Sequence, residues 1–166
     1  MNIKKLTFLV LSILLSCVSI SYSADKSSGL PVPRFVSIKS NETNVRTGPS
    51  TRYPIAWVYK KSGMPVEIIE EFDMWRKIRD VEGTTGWIKK NMLEGKRNAI
   101  VKSKDHVIVR IDHEKDAKPL FKVAPSVIVK IVECEKNWCQ IKANDDHKGW
   151  IEKSSLWGIY ADEIIE

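Results

Sequence analysis

Apolar and polar positions follow one another in short bursts along this chain. Val66-Glu67-Ile68-Ile69-Glu70-Glu71-Phe72 and Trp75-Arg76-Lys77-Ile78-Arg79 are dense in β-branched and aromatic residues, with only Asp73-Met74 between them. Two such runs parted by two residues predict a β-hairpin. Val129-Lys130-Ile131-Val132-Glu133-Cys134-Glu135 and the run from Trp138, parted by Lys136-Asn137, predict another. Beyond the first two dozen residues no window of about eleven residues carries a helical stripe. Gly and Pro punctuate the first half at Gly48-Pro49, Pro54, Gly63, Pro65 and Gly83. Strands this short leave exposed edges unless their sheet closes on itself, so the pattern predicts an all-β protein built from small barrels.

The pattern also repeats. Gly86-Trp87-Ile88 returns 63 positions later as Gly149-Trp150-Ile151, and the same offset lays Trp75 over Trp138, Ile78 over Ile141 and Leu93 over Leu156. Upstream the offset is 64, with Val45-Arg46 over Val109-Arg110, which implies a one-residue length change in a loop between. Self-similarity at a fixed spacing marks two copies of one structural unit. The expected organisation is a lead over 24–34, units over 35–95 and 99–160, a short basic linker over 96–98 containing Lys96 and Arg97, and a tail over 161–166. Gly86 and Gly149 each precede a Trp in a strand, where a missing Cβ admits a neighbouring backbone or ring. Trp87 and Trp150 are expected to pack, as are Val45, Val58, Val66, Ile68, Ile78, Ile88 and Leu93. The apolar run Leu156-Trp157-Gly158-Ile159-Tyr160 is expected to dock on one of the barrels or on a second copy.

The first residues read as a leader. Lys4 and Lys5 precede an apolar run from Leu6 to Ser16, and Ser21 and Ser23 present small side chains where a signal peptidase reads. The run is short for a helix crossing about 30 Å of hydrocarbon, so a signal peptide over 1–23 is expected rather than a retained anchor. Leu14-Leu15-Ser16-Cys17 also forms a loose lipobox, whose alternative outcome is a lipoprotein anchored at Cys17. Losing 1–23 removes two lysines and no acid, so the net charge falls from +6 to +4. The remaining charges are of mixed sign, as on a solvated surface, and an exported location favours wall or membrane polymers over nucleic acid. Membrane association is expected only if Cys17 is lipidated or the leader is retained.

Asn44-Val45-Arg46-Thr47-Gly48-Pro49-Ser50, a strand ending at Trp57-Val58, Gly63 with Pro65-Val66, Trp75, Ile78, Gly86-Trp87-Ile88 and Leu93 occur in an order that closely resembles the bacterial SH3-like domain. The whole chain looks like a two-copy exported SH3-like protein of the alphaproteobacterial type. The resemblance implies five-stranded β-barrels and a periplasmic or cell-envelope location, with peptidoglycan or an envelope protein as partner. In the second unit Arg110 is followed by Ile111-Asp112-His113-Glu114, so that loop is expected to be built differently and any ligand read through it to be read by the first unit alone. Arg46 in this motif and the rings of Tyr53, Trp57 and Tyr59 are the candidate ligand-binding residues. At an offset of 63 the three rings face Asp116, Leu120 and Lys122, so packing does not demand them, and rings of this kind wall grooves for extended ligands. A solvated or homodimer-contacting role for the rings stays open.

Two cysteines remain after residue 23. If Lys136-Asn137 is a two-residue hairpin loop, Cys134 faces Cys139 at a non-hydrogen-bonded pair with Cα atoms about 4.5 Å apart, within reach of a disulfide. Export favours the oxidised state. The same positions in the first unit are Glu71 and Arg76, an opposite-charge pair across the same rung.

No catalytic constellation is expected. The cysteines have each other as nearest partner, and His106, His113 and His147 lack the spacing of a triad or a zinc site. The expectation is a non-enzymatic binding or scaffolding module of the envelope, without cofactor or metal. Its rivals are an enzyme or thiol-redox protein with an unrecognised site, and a self-associating structural protein.

Overall fold

The computed structural model describes residues 27–144 and 147–166. The expected signal peptide and Cys17 lie outside the described residues. The described chain folds into two seven-stranded antiparallel sheets of like topology. The first contains β1 (Arg34–Ile38), β2 (Thr43–Arg46), β3 (Ile55–Tyr59), β4 (Pro65–Phe72), β5 (Trp75–Arg79), β6 (Thr85–Lys89) and β7 (Leu93–Glu94), in the spatial order β3-β2-β6-β5-β4-β1-β7. The second contains β8 (Asn98–Val101), β9 (Val107–Arg110), β10 (Pro119–Val123), β11 (Ile128–Cys134), β12 (Trp138–Asn144), β13 (His147–Glu152) and β14 (Leu156–Trp157), in the equivalent order.

Chain continuity shows that each sheet is rolled. β6 is internal and β7 lies at the far edge, yet a single 3-10 turn, Lys90–Met92, joins them. Seven strands appear where five were expected because the roll is sealed by a two-residue strand after that turn, paired to the lead strand at Ser37↔Glu94 and Ile38↔Leu93. The cores lie inside the rolls. Ile38, Val45, Val66, Ile68, Ile78 and Ile88 are buried together in the first, and Val101, Val109, Val129, Ile131, Ile141 and Ile151 are among those buried in the second.

Gly86 sits where β2 crosses the sheet. A Cβ there would lie 2.4 Å from Val45 Cγ1 and 3.2 Å from the Arg46 carbonyl oxygen, and one at Gly149 would lie 2.7 Å from Val109 Cγ1 and 2.8 Å from the Arg110 carbonyl. The recurring Gly-Trp-Ile therefore marks the closing crossover of each barrel. Trp87 and Trp150 are each 8% exposed and belong to the packing.

Both hairpins form in the expected register. Cys134 pairs with Cys139 and the two are disulfide-bonded, with Cα atoms 4.1 Å apart. Glu71 pairs with Arg76 on the matching rung, with Oε1 3.0 Å from Arg76 Nε. These rungs also fasten the two ends of the described chain. Ser28 donates its N–H to Glu71 Oε2 (2.6 Å) and its hydroxyl to Oε1 (2.8 Å), while Ile165 exchanges two backbone hydrogen bonds with Cys134, at 2.8 and 3.0 Å.

The barrels meet along a seam. Leu156-Trp157 forms β14 against β8, and the rings of Trp157 and Tyr160 pack on Phe35 of the first barrel at centroid distances of 5.0 and 4.8 Å. Tyr160 donates its hydroxyl to Glu67 Oε1 (2.8 Å), and Asn98 Nδ2 donates to the Gly63 carbonyl (2.9 Å). The connecting residues are ordered too: Ser37 Oγ donates to the Lys96 carbonyl (2.8 Å), and Arg97 donates to the Gly158 carbonyl (2.8 Å) and pairs with Glu163. The apolar tail thus docks between the barrels.

Candidate ligand-binding grooves

The alternation of β2 divides the four candidate residues between two faces. Val45 points into the core and pairs with Trp57, so Trp57 and Tyr59 stand on the core-facing side of the edge strand β3. Trp57 packs over Gly86 and meets Tyr59 edge-on at 6.2 Å. Tyr59 donates its hydroxyl to Asp80 Oδ2 (3.3 Å), and burial together with that carboxylate pushes its pKa up to about 12. Val58, expected in the core, pairs with Asn44 on the opposite face and is only half-buried. The reason is period two: Val45 fixes which alternate residues of β3 face inward, and these are the rings.

The structure also moves the point at which the offset changes. Arg46 pairs with Ile55 and Arg110 with Pro119, while Val45 pairs with Trp57 and Val109 with Phe121. The offset is therefore still 64 through β3, and Tyr53, Trp57 and Tyr59 correspond to Ala117, Phe121 and Val123. The step falls in the next loop, five residues in the first unit (60–64) and four in the second (124–127). Phe121 leans on the second core as Trp57 does on the first, and Leu120 supplies the contact with Gly149, 3.1 Å from its Cβ position, that Trp57 makes with Gly86.

Arg46 and Asn44 point outward into a groove of about 370 Å³ lined also by Glu42, Thr51, Trp75, Lys89 and Met92. Arg46 Nη1 donates to the carbonyls of Thr51 (3.2 Å) and Tyr53 (2.7 Å), so it holds one wall in place. The expectation of a differently built loop in the second unit is not met. Arg110 Nη1 donates to the Ala117 carbonyl (2.9 Å), and the backbone closures Thr47 N to Pro54 O and Ile111 N to Lys118 O correspond at 3.2 and 3.0 Å. Both loops are eight residues long and braced alike, because the arginine and not the Gly-Pro dipeptide sets the closure. Gly48 answers to a side chain: a Cβ there would lie 2.6 Å from the Tyr53 ring, and where the second unit has Ala117 the matching residue is Asp112. Tyr53 itself is 47% exposed where the loop leads into β3, near Ile55 at 46%.

The second barrel carries the equivalent groove, about 270 Å³, lined by His106, Val107, Ile108, Arg110, Trp138 and Glu152. Trp75 pairs with Lys89 and Trp138 with Glu152, so the same rung holds a lysine in one groove and a glutamate in the other. Lys89 Nζ lies 5.8 Å from the Trp75 ring centroid. Sequence reasoning did not place Glu42, Thr51, Trp75 or Lys89 at a ligand groove, although the outward alternation of Asn44 and Arg46 and the rung Trp75–Lys89 carry the signal. Among the described residues no cluster of three or more His, Cys, Asp or Glu is placed to hold a metal ion.

No protein of curated function matches the chain by sequence. Similar solved structures include NlpC1 of Trichomonas vaginalis (14% identity, TM-score 0.35, 80% of this chain and 48% of that one). An NlpC/P60 family protein of Bacillus cereus is 13% identical, with a TM-score of 0.32, over 74% of this chain and 55% of that one. The chain spans about half the length of these proteins, and likeness at this level says nothing of activity. The family model for the bacterial SH3 domain matches twice, over 39–95 and 103–158, which hold six of the seven strands of each sheet, and the chain belongs to the bacterial SH3 domain family.

Proposed function

We propose that the protein is a non-enzymatic module of the cell envelope that recognises peptidoglycan or an envelope protein through the groove of its first barrel. Bacterial SH3 domains are commonly cell-wall binding modules, and membership of the family supports that class of partner. One observation supports the choice of groove. The two barrels share core, crossover and arginine brace, but the first groove has Lys89 where the second has Glu152, and the loop of the first carries the exposed Tyr53 where that of the second has Ala117. What differs between copies of one fold is where recognition is written, since the fold itself hosts many partners.

In this reading Lys89 and Arg46 meet anionic groups of the ligand, Trp75 forms the floor and Tyr53 the rim. Trp57 and Tyr59 support the groove from inside. Export by the leader and residence in the periplasm or envelope belong to the same proposal, as does the lack of catalysis. Sedimentation with purified sacculi tests it: Lys89→Glu, which writes the second groove's charge into the first, is expected to leave most of the protein in the supernatant. Equal pelleting of this variant and the unmodified chain would remove the first groove from the account.

A further inference from the structure

A cavity on the second barrel adjoins that barrel's groove, sharing Trp138 and Glu152 with it and taking Lys115 from the 111–118 loop. It measures about 470 Å³ and is lined by Lys115, Lys136, Trp138, Lys153, Leu156 and Ile159, closed on one side by Ala161 of the tail. Lys153 is 6% exposed, whereas its counterpart Lys90 in the first barrel is exposed. The difference is the tail: after Tyr160 it folds back over the 3-10 turn, and its carbonyls at Ala161 (3.3 Å) and Glu163 (2.8 Å) accept from Lys153 Nζ.

Burying an ammonium is costly unless it is compensated. An ammonium has three N–H donors, and these two carbonyls occupy two of them without supplying a negative charge. Glu163's carboxylate is bonded by Arg97 and by the Tyr160 N–H, and it meets the charge of Lys153 only through space. Lys115 and Lys136, both exposed, stand at the rim. Glu152 is the single acid of the lining, so the cavity keeps a positive excess.

We propose that this cavity binds a carboxylate-terminated ligand with a small aliphatic group beside the charge, such as the free C-terminus of a short peptide or a small aliphatic acid. Lysine offers a compact point charge rather than the planar fork that favours phosphate, and the apolar wall of Leu156, Ile159 and Ala161 suits an alkyl group. Glu152 opposes a dianion more than a monoanion. This site is independent of the first barrel's groove, and its loss leaves the reading above intact.

The test is an NMR titration of the folded chain, following the Trp138 indole N–H and the amides around Lys136, with three probes: N-acetyl-Ala-Ala, the same dipeptide as its C-terminal amide, and acetate. The free acid is expected to shift these signals saturably and the amide to bind at least about tenfold more weakly. Acetate binding as tightly as the dipeptide would assign the site to small acids, and weaker acetate binding to peptide ends. Lys153→Met removes the buried charge but threatens the tail. The surface variant Lys115→Gln/Lys136→Gln keeps the test decisive and is expected to weaken the free acid about tenfold. Equal binding of acid and amide, tighter binding of inorganic phosphate, or no change in the surface variant would overturn the proposal.

Discussion

Tyr160, in the tail of the second barrel, donates its hydroxyl proton to Glu67 Oε1 of the first at 2.8 Å, while Arg79 Nε holds Oε2 of the same carboxylate at 2.8 Å. Tyr160 thereby completes a part-buried polar network around the buried Glu67 of the other unit. Burial, then the bond to Glu67, raises the tyrosine's pKa above its ordinary value. A raised folded-state pKa means that the associated stability is complete below the unfolded value of 10.0 and is lost as pH rises through the folded one.

Tyr160→Phe keeps the ring on Phe35 and removes only the hydroxyl. It is expected to cost about 1–3 kcal/mol, the range for a lost bond to a charged group that is left buried. Denaturant unfolding at pH 7 measures the loss, and the same variant should flatten the decline in stability above pH 10. No change in either would mean that the seam bond contributes nothing.

Glu71 gives the acidic counterpart. Burial alone would raise its pKa, but hydrogen bonds from Ser28 and Arg34 and the charge of Arg76 outweigh burial and hold it at about 2. A depressed folded-state pKa contributes stability above the ordinary value of 4.5 that disappears as pH falls toward 2. After a discount for water at the exposed Ser28 edge the contribution is on the order of 2 kcal/mol. Urea unfolding between pH 6 and about 2 is expected to show that loss, and Glu71→Gln to show lower stability at pH 6 with a shallower decline.

Cys134 and Cys139 are 1% and 0% exposed and close a loop of a few residues. The cross-link is expected to resist mild reductant, and full reduction under unfolding conditions to lower stability by about 1–2 kcal/mol, less than for a long loop. Ready reduction in the folded state, with a reactive thiol, would instead favour a redox role.

Gly48 and Tyr53 are coupled by space. Gly48→Ala is expected to destabilise by about 1–3 kcal/mol because its Cβ would meet the ring at 2.6 Å. Tyr53→Ala should relieve that penalty, since the second unit closes the same loop with Ala117. A double-mutant cycle on thermal unfolding checks the pair, and additive effects would contradict the coupling.

Much of this was legible in the sequence, for local reasons. The hairpin rungs Glu71–Arg76 and Cys134–Cys139 follow from a two-residue turn and the strand period, and Gly-Trp-Ile announces the crossover because a Cβ cannot fit there. The face of β3 was not legible. Whether Val58 or the pair Trp57 and Tyr59 turns inward depends on a β-bulge between Val45 and Arg46, which shifts register without leaving a mark in composition. The grooves were hidden for a related reason: Trp75 and Lys89 lie 14 positions apart in sequence but on one rung, and Lys153 is covered because the chain after Tyr160 folds back over it.

The central claim is binding to the envelope without catalysis, and one assay reads both halves. Purified sacculi are incubated with the folded chain and sedimented, the bound protein is quantified in the pellet, and the supernatant is analysed for soluble wall fragments. The account predicts saturable pelleting of the chain and a supernatant no richer in fragments than sacculi alone. A chain that stays in solution would remove peptidoglycan and leave an envelope protein as the partner, and one that releases fragments as it binds would contradict the non-enzymatic reading.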